Sequence, residues 1–248
     1  MSKDYTQDPD CQLAYLMNVD ENPLTDSSQN TNTGALKAAG SPNFTASGKY
    51  GGAYVWDSVS GDDWANAGSD ASIDDLGSLS VVAWLIAETG ARRVIDTLDG
   101  GGNGWFIDAS AGVGNDFMYF EYETTTATSV NAGSADASFT RGEFYHHAVT
   151  YDGSLNSSGI KHYFNGVETG SYQLTSNGGT AHTDDSANRK FIGNRPAEDR
   201  TWDSTMDELG IFSDVLTLAE INEIMDDGLD GSQFIKPGGH MTTMTKYW

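Results

Sequence analysis

The apolar positions of this chain fall in short runs divided by clusters of Gly, Asp, Ser and Asn. Phe144-Tyr-His-His-Ala-Val-Thr-Tyr-Asp-Gly153 is an apolar and aromatic run closed by Asp-Gly. Ile160-Lys-His-Tyr-Phe-Asn-Gly166 alternates and is closed by Asn-Gly. Runs of this length ending in turn dipeptides predict neighbouring antiparallel strands. Similar runs recur at Leu13 to Met17, Ala53 to Trp56, Leu79 to Ile86, Arg93 to Leu98, Gly104 to Ile107, Phe117 to Tyr122, Phe191 to Ile192 and Met206 to Phe212. That spacing is the pattern of a β-sandwich. Only one segment has helical period. Thr217-Leu-Ala-Glu220 is a capping box, Leu218, Ile221, Ile224 and Met225 share one face, and Gly228 supplies the stop. The pattern predicts an all-β protein: an antiparallel two-sheet sandwich with one short C-terminal helix as a lid. A polar arm covers residues 1–11, the sandwich residues 12–231 and a tail residues 232–248.

Composition narrows the function classes. The chain has 248 residues, enough for one large sandwich without staples. Cys11 stands alone, so no internal disulfide forms. The formal net charge is −23, from 36 acids against 13 bases. Such a field repels phosphate backbones and argues against nucleic-acid binding. Most of it reads as solubility, although a calcium site would use a few of the carboxylates. The first residues are polar and acidic with no apolar core, so no signal peptide is expected, and no apolar run is long enough to span a bilayer. The loop Asp99-Gly-Gly-Gly-Asn-Gly104 is not a phosphate cradle, because no helix start and no Lys-Ser/Thr follow it.

Several segments in order resemble laminin-G-like, concanavalin A-like jelly-roll domains. Asp26-Ser-Ser-Gln-Asn-Thr-Asn-Thr-Gly34 resembles the family's early loop, and Gly51-Gly-Ala-Tyr-Val-Trp-Asp57 and Leu79-Ser-Val-Val-Ala-Trp84 resemble two of its strands. The 144–166 pair resembles its Tyr-Asp-Gly … Asn-Gly hairpin. Phe191-Ile-Gly193, Thr205-Met-Asp-Glu-Leu-Gly-Ile-Phe212 and Leu216-Thr-Leu-Ala-Glu-Ile221 resemble its closing segments. The likeness spans about residues 12–229. The chain departs from it at Phe144, where the family usually has Trp, at His147, where a small apolar residue is common, and at Gln29, where a loop Gly is usual. The resemblance implies a jelly-roll fold and a binding role.

The same resemblance places Asp26, Asn30 and Asp207 at a structural Ca²⁺ site, where the ion would clip an early loop to a late strand. An Asx turn at Asp26 with a solvated Asp207 stands level with that reading. Catalysis is disfavoured. The Glu-x-Asp-x-x-Glu triplet of laminarinase-type relatives is missing, and Glu121-Tyr-Glu123 reads as a polar row. His146 and His147 are adjacent and face opposite ways on a strand, and no zinc spacing or nucleophile elbow involves His162, His182 or His240. Trp64 and Trp202 sit in polar loops and, with Asp203, are the candidate sugar contacts, set against packing on the sandwich rim. Trp84 reads as core.

The expectation is a non-enzymatic binding or assembly module. Its suggested setting is a virus or phage structural protein, displayed on a particle or released outside cells, with Met244, Tyr247 and Trp248 of the aromatic tail docking on neighbouring subunits. A free carbohydrate-binding lectin that meets a surface glycan is the alternative, and a glycoside hydrolase comes third.

Overall fold

The computed structural model describes residues 2–38, 42–57, 63–98, 100, 102–112, 115–126 and 128–232. In chain order the early strands are β1 (Cys11–Tyr15), β2 (Ala35–Leu36), β3 (Asn43–Thr45), β4 (Ala53–Val55), β5 (Ala65–Asn66), β6 (Leu79–Leu85) and β7 (Arg93–Asp96). Then come β8 (Trp105–Gly112), β9 (Asn115–Tyr122), β10 (Val130–Ser134), β11 (Tyr145–Tyr151) and β12 (Ile160–Phe164). The last are β13 (Val167–Glu168), β14 (Tyr172–Ser176), β15 (Phe191–Ile192) and β16 (Thr205–Phe212), followed by the helix α1 (Leu218–Asp227).

These strands form two sheets in which every pair is antiparallel. The first runs β13-β12-β11-β6-β16-β4-β3, with β1 also on β16. The second runs β14-β10-β9-β8-β7-β15-β5-β2. The expected hairpin is present: His147 pairs with Phe164 and Tyr151 with Ile160. Asn165 at φ 49° and Gly166 at φ 75° make the tight turn into β13, since both positions need the left-handed region.

Strand period decides what each residue touches. On β6, Leu79, Val81, Ala83 and Leu85 face the core between the sheets, while Val82 faces the opposite way. Trp105, Phe120, Tyr122, Tyr151, Trp56 and Trp202 fill that core. A second apolar cluster lies on the outer side of the first sheet, where Ile221 and Ile224 of α1 pack with Tyr5, Cys11, Val82, Ala148 and Phe212. The helix is therefore a lid. Thr217 and Glu220 make both bonds of the capping box, as the sequence predicts. Leu218 departs from the expected face and is 47% exposed, while Ile221 and Ile224 are buried. Trp84 is buried, as the sequence suggests. It lies on the outer side of the first sheet, covered by Tyr50, His146 and the ammonium of Lys49, which lies 3.8 Å from its ring centre. The N-terminal arm is docked: Tyr5 is buried and its hydroxyl donates to Glu223.

Three sets of polar groups lie inside the fold. His162 Nε2 lies 3.1 Å from the Ala132 carbonyl on the facing sheet, and its Nδ1 lies 3.1 Å from His147 Nε2. A carbonyl only accepts, so His162 donates from Nε2 and accepts at Nδ1 from His147. Lys190 has no exposed side-chain surface. Its ammonium sits 2.5 Å from Asp74 Oδ1, 3.0 Å from the Asp185 carbonyl, 3.1 Å from the Asn188 carbonyl and 3.6 Å from Asp185 Oδ2. Asp207 and Glu208 lie at a register shift in β16, where Glu208 has φ 51°.

Candidate functional site

The outer face of the second sheet carries the polar chemistry. On β8, Trp105, Ile107 and Ala109 point into the core, so Phe106, Asp108 and Ser110 point out. On β9, Met118, Phe120 and Tyr122 point in, leaving Phe117, Tyr119 and Glu121 on the outer face. Arg93 on β7 stands opposite Asp108, and Asp96 opposite Phe106. Phe191 on β15 stands opposite Asp96 and shares its face.

Arg93 anchors this face. It is 4% exposed, and its guanidinium lies 3.4 Å from the ring centre of Phe106. Its Nε donates to Asp96 at 2.8 Å and its Nη1 to Asp108 at 3.0 Å. Two more guanidiniums approach the same carboxylate: Arg200 Nη1 at 3.5 Å and Arg92 Nε at 3.7 Å. Burial pushes the Asp108 carboxyl above its ordinary range, and Arg93, Arg92 and Arg200 oppose that push. Burial likewise raises Asp96, against Arg93. Beside this cluster opens a pocket of about 160 Å³ lined by Arg92, Asp108, Ser110, Phe117, Tyr119 and Leu174. Asp108 Oδ1 and Arg92 Nε are buried and have no hydrogen-bond partner among the described residues. These two atoms face each other as an ion pair at 3.7 Å, and the rest of the Arg92 guanidinium, on a side chain 43% exposed, lies beside aromatic rings. Such a set suits a polyol, whose hydroxyls would accept from the exposed guanidinium N–H groups while its C–H faces lie on the rings. Tyr119 donates its hydroxyl to Glu121, which also accepts from Ser129 at 2.8 Å. Burial, first, and Glu121 hold the phenol of Tyr119 well above its usual value.

The residues singled out from sequence are distributed as follows. Trp64 lies on this outer face, edge-on to Phe191 at 5.5 Å, and its indole N–H donates to Glu198 at 2.9 Å. Trp202, expected on a polar loop, is 0% exposed and belongs to the core. Its N–H donates to the Thr205 carbonyl, and it offers no ring face to a sugar. The sheet therefore separates the two rings. Asp203, half-buried at φ 54°, lies by Gly90 and not in the pocket.

The carboxylate of Asp26 accepts from Ala14 N, Ser28 N, Ser28 Oγ and Asn32 N, at 2.7–2.9 Å. These are the bonds of an Asx turn, with the positive ends of four donors aimed where a cation would sit. Asn30 joins the same turn through Ser28 Oγ, and its amide donates to the Cys11 and Gln12 carbonyls. Asp207 is in a separate network. It is fully buried rather than solvated, and its Oδ2 accepts from Lys49 N and Tyr50 N while Oδ1 has no hydrogen-bond partner among the described residues. In this arrangement Asp26, Asn30 and Asp207 do not fit one calcium ion. Among the described residues, no three His, Cys, Asp or Glu side chains are placed to hold a metal. Met244, Tyr247 and Trp248 lie outside the described residues.

Sequence reasoning missed Arg92, Arg93, Asp96, Asp108 and Tyr119. The available signal was a charge inside an apolar strand run, at Arg93, Asp96 and Asp108. Such a group needs a partner, but only the register of β7 on β8 says which.

A family model described as the concanavalin A-like lectin/glucanases superfamily matches residues 59–222. No curated protein matches the chain by sequence. Among solved structures, the chain is similar to domain 4 of AbnA, a GH43 extracellular arabinanase from Geobacillus stearothermophilus, in complex with arabinotriose. The TM-score is 0.59 at 19% identity, over 87% of this chain and 98% of that one. It is also similar to the binding domain of Paraclostridial Mosquitocidal Protein 1, with TM-score 0.60, 13% identity, and coverage of 88% and 52%. For the botulinum neurotoxin serotype D binding domain the values are 0.58, 18%, and 86% and 50%. The chain thus spans about half the length of these toxin domains.

Proposed function

The chain belongs to the concanavalin A-like lectin/glucanase superfamily, and from that membership and the chemistry of the second sheet we propose that it is a non-catalytic carbohydrate-binding domain. The observation that carries this is the partly exposed guanidinium of Arg92, ion-paired to Asp108, beside Phe117 and Tyr119. Trp64 extends the same face toward the sheet edge. The reading is non-catalytic because Arg93 holds Asp96 and Asp108 together as acceptors, rather than as an acid and a base set across a bond. The arabinotriose bound to the arabinanase domain lends the fold a carbohydrate precedent. A partner glycan outside cells or on a cell surface follows from the same reading. The narrower setting of a virus or phage particle subunit finds no parallel in the similar structures named above.

A glycan array followed by calorimetry tests the proposal. At least one glycan is expected to bind, and Tyr119→Ala is expected to weaken it about five- to tenfold, near 1 kcal/mol, through loss of one ring contact. A silent array, or hits indifferent to Tyr119→Ala, would sink it.

A further inference from the structure

The chain contains six arginines. Arg92, Arg93 and Arg200 converge on the one carboxylate of Asp108, with Asp96 as the second anion of the group. Arg195 stands close by, already balanced by Asp199 through two contacts of 2.5 and 2.7 Å. Three guanidiniums against two carboxylates leave this group one positive charge in excess, within a chain of net charge −23. The excess has an address. Arg93 is spent, flat on Phe106 and bonded on both sides. Arg92 and Arg200 are not. Their side chains are 43% and 33% exposed, and each reaches Asp108 only at 3.5 Å or more. A guanidinium carries five N–H donors, so most of theirs are unused by side chains among the described residues.

Resting on the carbohydrate reading above, we propose that the saccharide taken at this pocket carries a carboxylate, and that Arg92 and Arg200 bind it. A planar guanidinium matches a carboxylate with two parallel N–H···O bonds, a fit that a neutral hydroxyl cannot reproduce. The surrounding field sets a limit. A polymer with a carboxylate on every unit would lay most of them against the acidic surface, whereas one isolated uronate or sialate reaches the arginines alone.

Calorimetry on two matched pairs tests this: 3′-sialyllactose against lactose, and a xylotriose bearing one glucuronic acid against xylotriose. The first pair represents animal glycoconjugates and the second plant cell walls, so the two sources of the carboxylate are separated. In one pair the acidic member is expected to bind at least about tenfold tighter, as one charge-assisted contact of about 1.4 kcal/mol gives. Arg200→Gln is expected to erase most of the preference while leaving the neutral sugar's affinity and the thermal midpoint in place, whereas Arg92→Gln is expected to erase the preference and weaken the neutral sugar as well. Tyr119→Ala is expected to weaken both members equally. Equal affinities within both pairs, or binding of only neutral glycans from an array, overturn the carboxylate and leave the carbohydrate reading standing. Silence toward all four sugars and the array overturns both.

Discussion

Trp64 and Trp202 have the same ring and sit on opposite sides of one sheet, so their substitutions separate. Trp202→Ala opens a hole in the core and is expected to cost about 3–5 kcal/mol, read as a large fall in the denaturant midpoint. Trp64→Ala removes a partly exposed ring and is expected to stay within about 1 kcal/mol. Equal losses at the two positions would contradict the placement. The polar composition of both loops made the rings look alike in sequence, because exposure depends on which residue enters the sheet first. Asp207 teaches the same lesson with a charge. Burial raises its carboxyl to about 6 from an ordinary 3.8. A raised carboxyl stabilises the fold while protonated, fully below about pH 4, and that contribution is lost as pH rises through 6. Asp207→Asn keeps an acceptor for Lys49 N and Tyr50 N and removes the charge. The stability of the variant relative to wild type is therefore expected to rise by on the order of 2–3 kcal/mol between pH 4 and pH 7. Parallel stability curves for the two proteins would refute this.

At the scale of elements, what could be read in advance was what has period or punctuation. The β11–β12 pair, its Asn165-Gly166 turn and α1 with its capping box each carry a local signature. Strands of two residues, such as β2, β5 and β15, are too short to show alternation, although β15 and the residue before β5 place Phe191 and Trp64 on the outer face. Register was also illegible, and it is what sets Arg93 opposite Asp108. The helix gives a direct check. Thr217→Ala removes the cap on Glu220 N and is expected to cost about 1 kcal/mol. Thr217→Ser is expected to keep most of it. An unchanged midpoint for the alanine variant would mean that α1 stands on its packing against the first sheet alone.

For the whole molecule, buried groups respond to acid in opposite senses. Burial lowers His146 to about 3 and His162 to about 4, and it lowers His147 well below its usual value, with His162 and His146 adding to the effect. A lowered histidine leaves the unfolded chain to take up the proton first, so these groups withdraw stability as pH falls from about 6.5 toward 4. Glu208, raised by burial and by Asp207, opposes them, as Asp207 does. The histidine contribution is isolated by His146→Phe, since the imidazole lies against Trp84 and its Nδ1 has no hydrogen-bond partner among the described residues. Wild type is expected to lose about 1.4 kcal/mol per pH unit more than the variant between pH 6 and 4. Urea titrations at three pH values measure it, and a constant difference would exclude it. Lys190 works differently from all of these. Its nitrogen fills an oxygen cage that ties the turn at Asp74 and Asp75 to the turn at Asp185 through Asn188. The cation of that joint is covalently attached to the chain it holds, so it arrives in fixed stoichiometry with every copy made. Dilution cannot wash it out, and a chelator finds nothing there to extract.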